Sequence, residues 1–280
     1  MSLGKQKKYK KCCLLKSKNK MENKTIEIKD NRLYIKKYAE LENKQIEETL
    51  ADFPNEELWM VEIFKLLKAF EKRDEKLGTE WRTCILLAEM SSKEIHLCFL
   101  SFLRRHFGQA HSCIRNAIEA AGFINAIRTD EEKAKIWMCK KINDEKSVFA
   151  SLKKERWIGE KATLLKKKMH LSSEMCHANF FKTLHSTKSR LDLENKRIID
   201  VFSFFDASDD KRRDRSLLNF FITICFEILD LYCDVFGEIL EKNGFKDKLN
   251  EKHKAYSNYI KENAKDIIST QRLREKFKLQ

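Results

Sequence analysis

The chain reads as an all-α helical bundle of roughly six to eight helices. Two observations carry this expectation. The 280 residues include only seven glycines and one proline, while 36% of the side chains are charged. Gly and Pro punctuate loops, so long loops and sheet-rich architectures would carry more of both. In addition, the stretches His96–Arg128 and Leu217–Leu240 repeat apolar residues at helical spacing. A chain of this length buries about three quarters of its unfolded surface, enough for one large or two small domains.

In chain order, residues 1–24 read as a disordered basic tail. Thr25–Ile35 alternates on both sides of Asp30-Asn31, which predicts a small β-hairpin. A helix follows from Lys36 to Leu50, and Pro54 breaks it. Asn55 is placed to cap the next helix, whose first turn carries Glu56 and Glu57 and which runs to Lys76. Gly78 ends that helix, and Thr79 is placed to cap the next, which enters the His96–Arg128 segment with a break near Phe107-Gly108. Asp130 is expected to cap a helix carrying Trp137. A short helix over Lys146–Trp157 ends at Gly159, and another spans Lys161–Ser186. Residues 187–216 are irregular and polar; the apolar island Arg197–Phe205 fits a strand or a short helix equally. Asp214 or Ser216 would cap a long apolar helix to Lys242. Its length suggests a membrane span, but Glu227, Asp230, Asp234, Glu238 and Glu241 cut through it, so no transmembrane segment is expected. The acidic stripe is expected to face solvent, with the alternative that it meets arginines inside the bundle. A basic C-terminal helix over 246–280 would dock through Tyr256, Tyr259, Ile260, Ala264 and Ile267. The expected domains are thus a 1–24 tail, a 25–245 bundle and the 246–280 helix.

The net charge of +14 suggests a nucleic-acid binder until it is located. Eight lysines and no acid lie in residues 1–20, and residues 246–280 carry a net +5, leaving +1 for residues 21–245. Nucleic-acid enzymes focus positive charge at a cleft, so a near-neutral body argues against one. Basic ends are most simply solvated, with weak attraction to RNA or anionic lipid as the alternative. Nine cysteines without a CxxC motif, mostly inside apolar patterns, suggest free thiols in a reducing cytoplasm. Cys12-Cys13 in a lysine-rich setting leaves palmitoylation as a minor alternative.

The segment His96–Arg128 is apolar nearly all round, which predicts burial. One line differs. At about 100° per residue, Arg104, Gly108, His111, Arg115, Glu119 and Gly122 align. Glu119 stands one turn after Arg115 and is placed to pair with it. Gly108 and Gly122 would let a backbone or a ligand approach. The line is therefore either an internal ion pair at a tight helix crossing or an anion pocket, with Arg104 and Arg115 holding a phosphate or carboxylate.

A second cluster is His170, His177 and His185, on one helical face, with Ser173 one turn before His177. No His-x-x-x-His or His-Glu-x-x-His spacing supplies a metal set, so neither metal nor cofactor is expected. A Ser–His hydrolase would need an oxyanion hole, and no glycine-bearing turn offers one. A nucleophilic Cys176 beside His177 fails because adjacent residues point in different directions on a helix.

Arg105 and His111 match the Arg-x(4–6)-His pattern and resemble the HEPN superfamily of small helical bundles. That resemblance implies metal-independent RNA cleavage, with His111 moving the 2′-hydroxyl proton and Arg105 steadying the phosphorane. A broader pattern covers Leu97–Gly237: Ala110…Arg115…Glu119, then Asp130-Glu131-Glu132…Trp137, then Ser173…His177-Ala178-Asn179, then the helix after Ser216. It is similar to a group of bacterial helical proteins grouped loosely with HEPN-like bundles. The resemblance implies a bundle in which Arg115, Glu119 and His177 meet, and it implies no reaction; Ser173, one turn before His177, is placed to hydrogen-bond it. The leading reading is a non-catalytic binding or interaction bundle with an anion pocket. The alternative is a HEPN-like ribonuclease or an RNA-binding toxin or defence effector, with RNA or another anion as ligand and a homodimer as its assembly.

Overall fold

The computed structural model describes residues 31–68, 78–128, 130–139, 146–176, 187–192, 197–202, 211–241 and 244–265. Among these are nine helices: α1 Asn31–Asp52, α2 Pro54–Leu67, α3 Thr79–Leu103, α4 Phe107–Ile127, α5 Glu131–Met138, α6 Lys146–Glu155, α7 Glu160–Cys176, α8 Lys211–Glu241 and α9 Phe245–Glu262. Strands β1 Thr187–Asp192 and β2 Arg197–Phe202 pair antiparallel, with Thr187 opposite Phe202 and Asp192 opposite Arg197. The fold is the expected all-α bundle. Its nine described helices are one more than the upper expectation, and the central segment is broken into two, as expected.

Contacts divide the chain at Glu40, into units Met1–Glu40 and Leu41–Gln280. Within the first unit, the described part is the start of α1. The predicted hairpin fails where it is described: Asn31–Ile35 is helical, while Thr25–Asp30 lies outside the described residues. A lone hairpin is marginal in water, and a polar helix start needs no partner strand.

Within Leu41–Gln280, α3 and α4 form an antiparallel hairpin, tied where Ser91 Oγ donates to Ala117 O (3.2 Å) and Cys84 Sγ to Arg128 O (3.4 Å). α4 is the centre: Ile114, Ala117, Ile118, Ala121, Ile124 and Ile127 are fully buried. α8 lies against it with Phe221, Ile222, Cys225, Phe226, Leu229, Tyr232 and Phe236 buried, and it kinks at Phe236. At Lys211–Gly237 it is long and apolar enough to cross a membrane, but 72% of that apolar window is buried in the fold. Packing accounts for the apolar run. The docking side of α9 is also observed: Tyr256 is buried, Tyr259 and Ile260 are half-buried against the core, Ala264 is exposed, and Ile267 lies outside the described residues.

The helix ends follow local chemistry, with three corrections. Asp130 caps α5 as expected, accepting from the Lys133 amide at 3.0 Å. Pro54 stands at the break, as expected: α1 ends at Asp52 and Pro54 opens α2, where a first-turn proline loses no hydrogen bond; the N-cap is Phe53 rather than Asn55. Gly78 rather than Thr79 precedes α3. α8 begins at Lys211, so Asp214 and Ser216 lie inside its first turns.

Candidate functional site

The central stripe begins at the α3–α4 corner. The Arg105 amide donates to Phe102 O (2.8 Å) and the His106 amide to Ser101 O (2.8 Å), closing a helix-ending Schellman turn. Arg105 takes the left-handed position with φ 58°, where glycine usually stands. The break therefore falls three residues before Gly108, and Phe107 and Gly108 already belong to α4.

Charge holds this corner together. Arg104 pairs with Glu42 (Nε–Oε2 3.6 Å), and His106 Nε2 lies 3.2 Å from Glu42 Oε1. Arg105 lies between Asp52 (3.7 Å) and Asp214 (3.9 Å), and Asp52 also holds Lys211. His111 is a core residue, 3% exposed, with its ring edge-on to Phe221 at 5.0 Å. Among the described contacts, Arg105 faces carboxylates and His111 faces phenyl rings.

Further along α4 the predicted Arg115–Glu119 pair does not form. Glu119 instead accepts from Arg156 Nη1 at 2.7 Å. The Arg156 guanidinium also covers the rings of Phe123 (4.5 Å) and Trp157 (5.1 Å). Gly122 makes the crossing close enough: a Cβ there would stand 3.1 Å from Trp157 and 3.3 Å from Arg156 Cβ. Buried Asn125 completes the crossing by donating to Arg156 O (3.1 Å) and Ile158 O (3.0 Å). The glycine on the stripe thus admits the α6–α7 turn.

That leaves Arg115 half-buried on α4, with neither a hydrogen bond nor an ion pair among the described residues. α4 packs along α7, which carries half-buried Ser173, buried Ser172 and exposed His170. His177 and His185 lie outside the described residues, as does the meeting of Arg115, Glu119 and His177.

Among its described side chains the acidic stripe of α8 does not meet Arg104–Arg115; Asp234 is exposed, as expected of a wet face, and Asp230 and Glu227 are half-buried. The stripe meets the lysines of α7. Lys161 bridges Asp230 (3.0 Å) and Asp234 (2.9 Å), and Lys168 holds Glu227. Partial burial works against the Lys161 charge, yet the hydrogen bonds it donates to Asp234 and Asp230 outweigh it and raise its pKa.

One polar centre was missed in the sequence. Glu56, 0% exposed in the first turn of α2, accepts from Tyr259 Oη (2.5 Å) and Asn219 Nδ2 (3.2 Å) and pairs with Arg215 Nε at 3.1 Å. Tyr256 Oη donates to Asn219 O and Oδ1 (2.9 and 3.0 Å). Burial first, then the Glu56 hydrogen bond, pushes the Tyr259 phenol above its ordinary range; burial does the same to Tyr256. In sequence, Glu56 looks like an ordinary helix-dipole acid. The available signal was the pair Tyr256 and Tyr259 on a docking face, since a buried phenol needs a polar partner.

Among the described residues no group of three or more His, Cys, Asp or Glu is placed to hold a metal ion. No family model, curated protein or solved structure matches the chain.

Proposed function

We propose that this chain is a non-catalytic helical-bundle binding module that takes the anionic group of its ligand at Arg115. The observation that carries this reading is the half-buried Arg115 without an acidic partner among the described residues, on a stripe whose other charges are committed. A guanidinium partly removed from water favours an anion beside it, and its planar fork suits phosphate or carboxylate. Arg104, the other expected anchor, is engaged with Glu42, so the reading rests on Arg115. The ribonuclease alternative gains no support from geometry. A general base must reach its proton, whereas His111 is packed against Phe221 and Arg105 is held by Asp52 and Asp214.

The test is a thermal-shift titration with inorganic phosphate, pyrophosphate and mononucleotides, on wild type and Arg115→Gln. A ligand at a hundred times its Kd stabilises by about 2.7 kcal/mol, a rise of several degrees. Wild type should show that rise with at least one anion, and Arg115→Gln should lose it. Equal protection of both proteins, or protection of neither, refutes the proposal. Metal-free incubation with RNA runs in parallel; cleavage abolished by His111→Ala would replace this reading with the nuclease.

A further inference from the structure

α3 packs on α4 on one side, and among the described residues its opposite side carries exposed side chains. Its inner residues, Cys84, Leu87, Ile95, Cys98, Phe99 and Phe102, are buried. Its outer face is unusual for a solvated helix: Leu86 and Met90 are 52% exposed and Leu97 is 37% exposed. Arg82, Glu89 and Lys93 share that face and are exposed too. At helical spacing these six residues fall within about 100° of one another, so they form one stripe.

The charges are informative. Glu89 and Lys93 stand one turn apart, at the spacing where such pairs commonly close, yet neither makes an ion pair among the described residues. Within the stripe, Glu89 and Lys93 are equidistant from Ser91, and Leu86 and Leu97 are centred half a residue later. If two copies of α3 cross antiparallel about a two-fold axis there, Glu89 of each copy meets Lys93 of the other. Leu86 meets Leu97, and Met90 lies along the alkyl stem of Lys93. Residue i contacts j while j contacts i, which is the requirement for an isologous contact.

The patch continues onto α2. His96 stacks on Phe64 at 4.1 Å, and one turn earlier Val61 is 40% exposed, with Leu58 beyond it at 65%. This widens the apolar contact beyond a single helix. A helix pair with such a margin lies at or below the ~1,200 Å² of stable interfaces, so the association should be weak.

We infer that the outer face of α3 is a self-association surface, on which a second copy of this chain docks antiparallel through Leu86, Met90 and Leu97 with reciprocal Glu89–Lys93 pairs. This goes beyond the Arg115 reading and does not depend on it.

Sedimentation velocity of the full chain at 5–200 µM (roughly the range a weak contact needs) tests it. Wild type should shift from monomer toward dimer across the series. Leu97→Glu should stay monomeric. Glu89→Lys and Lys93→Glu should each weaken the dimer at least tenfold, because each sets like charges face to face. An equimolar mixture of those two variants should regain dimer, since each copy now opposes its charge-reversed partner, and the double variant E89K/K93E should regain it as well. Circular dichroism of each variant checks that exposed substitutions leave the helices intact. Wild type monomeric at 200 µM overturns the inference. So does a dimer indifferent to Leu97→Glu, or one whose charge variants fail to recover on mixing.

Discussion

Two of the carboxylate–arginine pairs among the described residues are built in opposite senses. At the α4–α6 crossing the cation is the hidden partner: the Arg156 side chain is 10% exposed, while Glu119 is 39% exposed. At the α2–α8–α9 junction the anion is hidden: Glu56 is 0% exposed and Arg215 is 29% exposed. Each buried charge is compensated according to its chemistry. A guanidinium has flat faces, and Arg156 uses them on Phe123 and Trp157. A carboxylate has only acceptors, and Glu56 is surrounded by donors, namely the Tyr259 hydroxyl and the Asn219 amide. It also stands in the first turn of α2, where the helix dipole favours negative charge. The lesson concerns what remains when a partner is removed. Glu119 left alone recovers water, whereas Glu56 left alone does not.

The largest consequence follows from that asymmetry. Arg215→Met should cost about 3 kcal/mol in urea unfolding, because a buried carboxylate loses its cation. Adding Glu56→Gln should recover part of the loss by removing the stranded charge. If the single variant unfolds like wild type, Glu56 is not the charge-bearing centre described. Next is Tyr259→Phe, which deletes a hydrogen bond to a charged acceptor and should cost about 2 kcal/mol. It should also loosen α9, read as faster amide exchange around Tyr256.

On the other side of the comparison, Arg156→Met should cost about 1.5 kcal/mol, less than Arg215→Met, since the flexible replacement keeps part of the ring contact. A larger cost than that of Arg215→Met would invert the contrast. Gly122→Ala is a separate probe of the same crossing. Its Cβ would meet Trp157 at 3.1 Å, so a loss of about 1 kcal/mol from overpacking is expected in the same unfolding assay.

The smallest effect comes from an exposed pair used as a control. Lys133 bridges α5 to Glu155 of α6 at 2.9 Å, and its hydrogen bond holds the Glu155 carboxyl below the ordinary range. A depressed carboxyl contributes stability above its unfolded pKa and loses it as pH falls through the folded value. The same bond raises Lys133, whose contribution is complete below the ordinary lysine pKa and is lost as pH rises through the folded value. Lys133→Met should therefore cost about 0.5 kcal/mol at neutral pH and nothing in acid below the folded Glu155 pKa, compared by urea melts at the two pH values. A cost that persists in acid would show that Lys133 acts through packing.

Local signals in this chain were readable and distant ones were not. Asp130 announces its helix because capping depends on the next three residues. The burial of α4 and α8 follows from apolar periodicity, and so does the docking side of α9. The corner at Arg105 was misplaced because glycine is the usual left-handed residue, whereas here paired acids hold an arginine in that conformation. For Glu119 the sequence points to Arg115, one turn away, whereas its partner Arg156 is 37 residues away. Sequence proximity made the nearer arginine attractive; the Gly122 crossing brought the farther one in. The acidic stripe of α8 was correctly seen as a stripe, but its lysine partners sit on α7, and no single-helix pattern names a neighbour. For Glu56 the residue type was expected at a helix start, but its burial depends on Tyr259, 203 residues later.

The turn at Arg104–His106 also has a consequence in time. α3 and α4 are adjacent in the chain, so the bonds from Ser91 to Ala117 and from Cys84 to Arg128 close loops of modest length. The Glu56–Tyr259 bond must close one spanning most of the molecule. Closure entropy rises with loop length, and chains build short-range contacts first. The order in which amides become protected during refolding should follow: the α3–α4 hairpin early, and the α2–α9 junction last. In a nascent chain, the hairpin is synthesised long before α8 exists to cover it. The apolar α3–α4 hairpin therefore waits, half-wrapped, for a helix that begins only at Lys211.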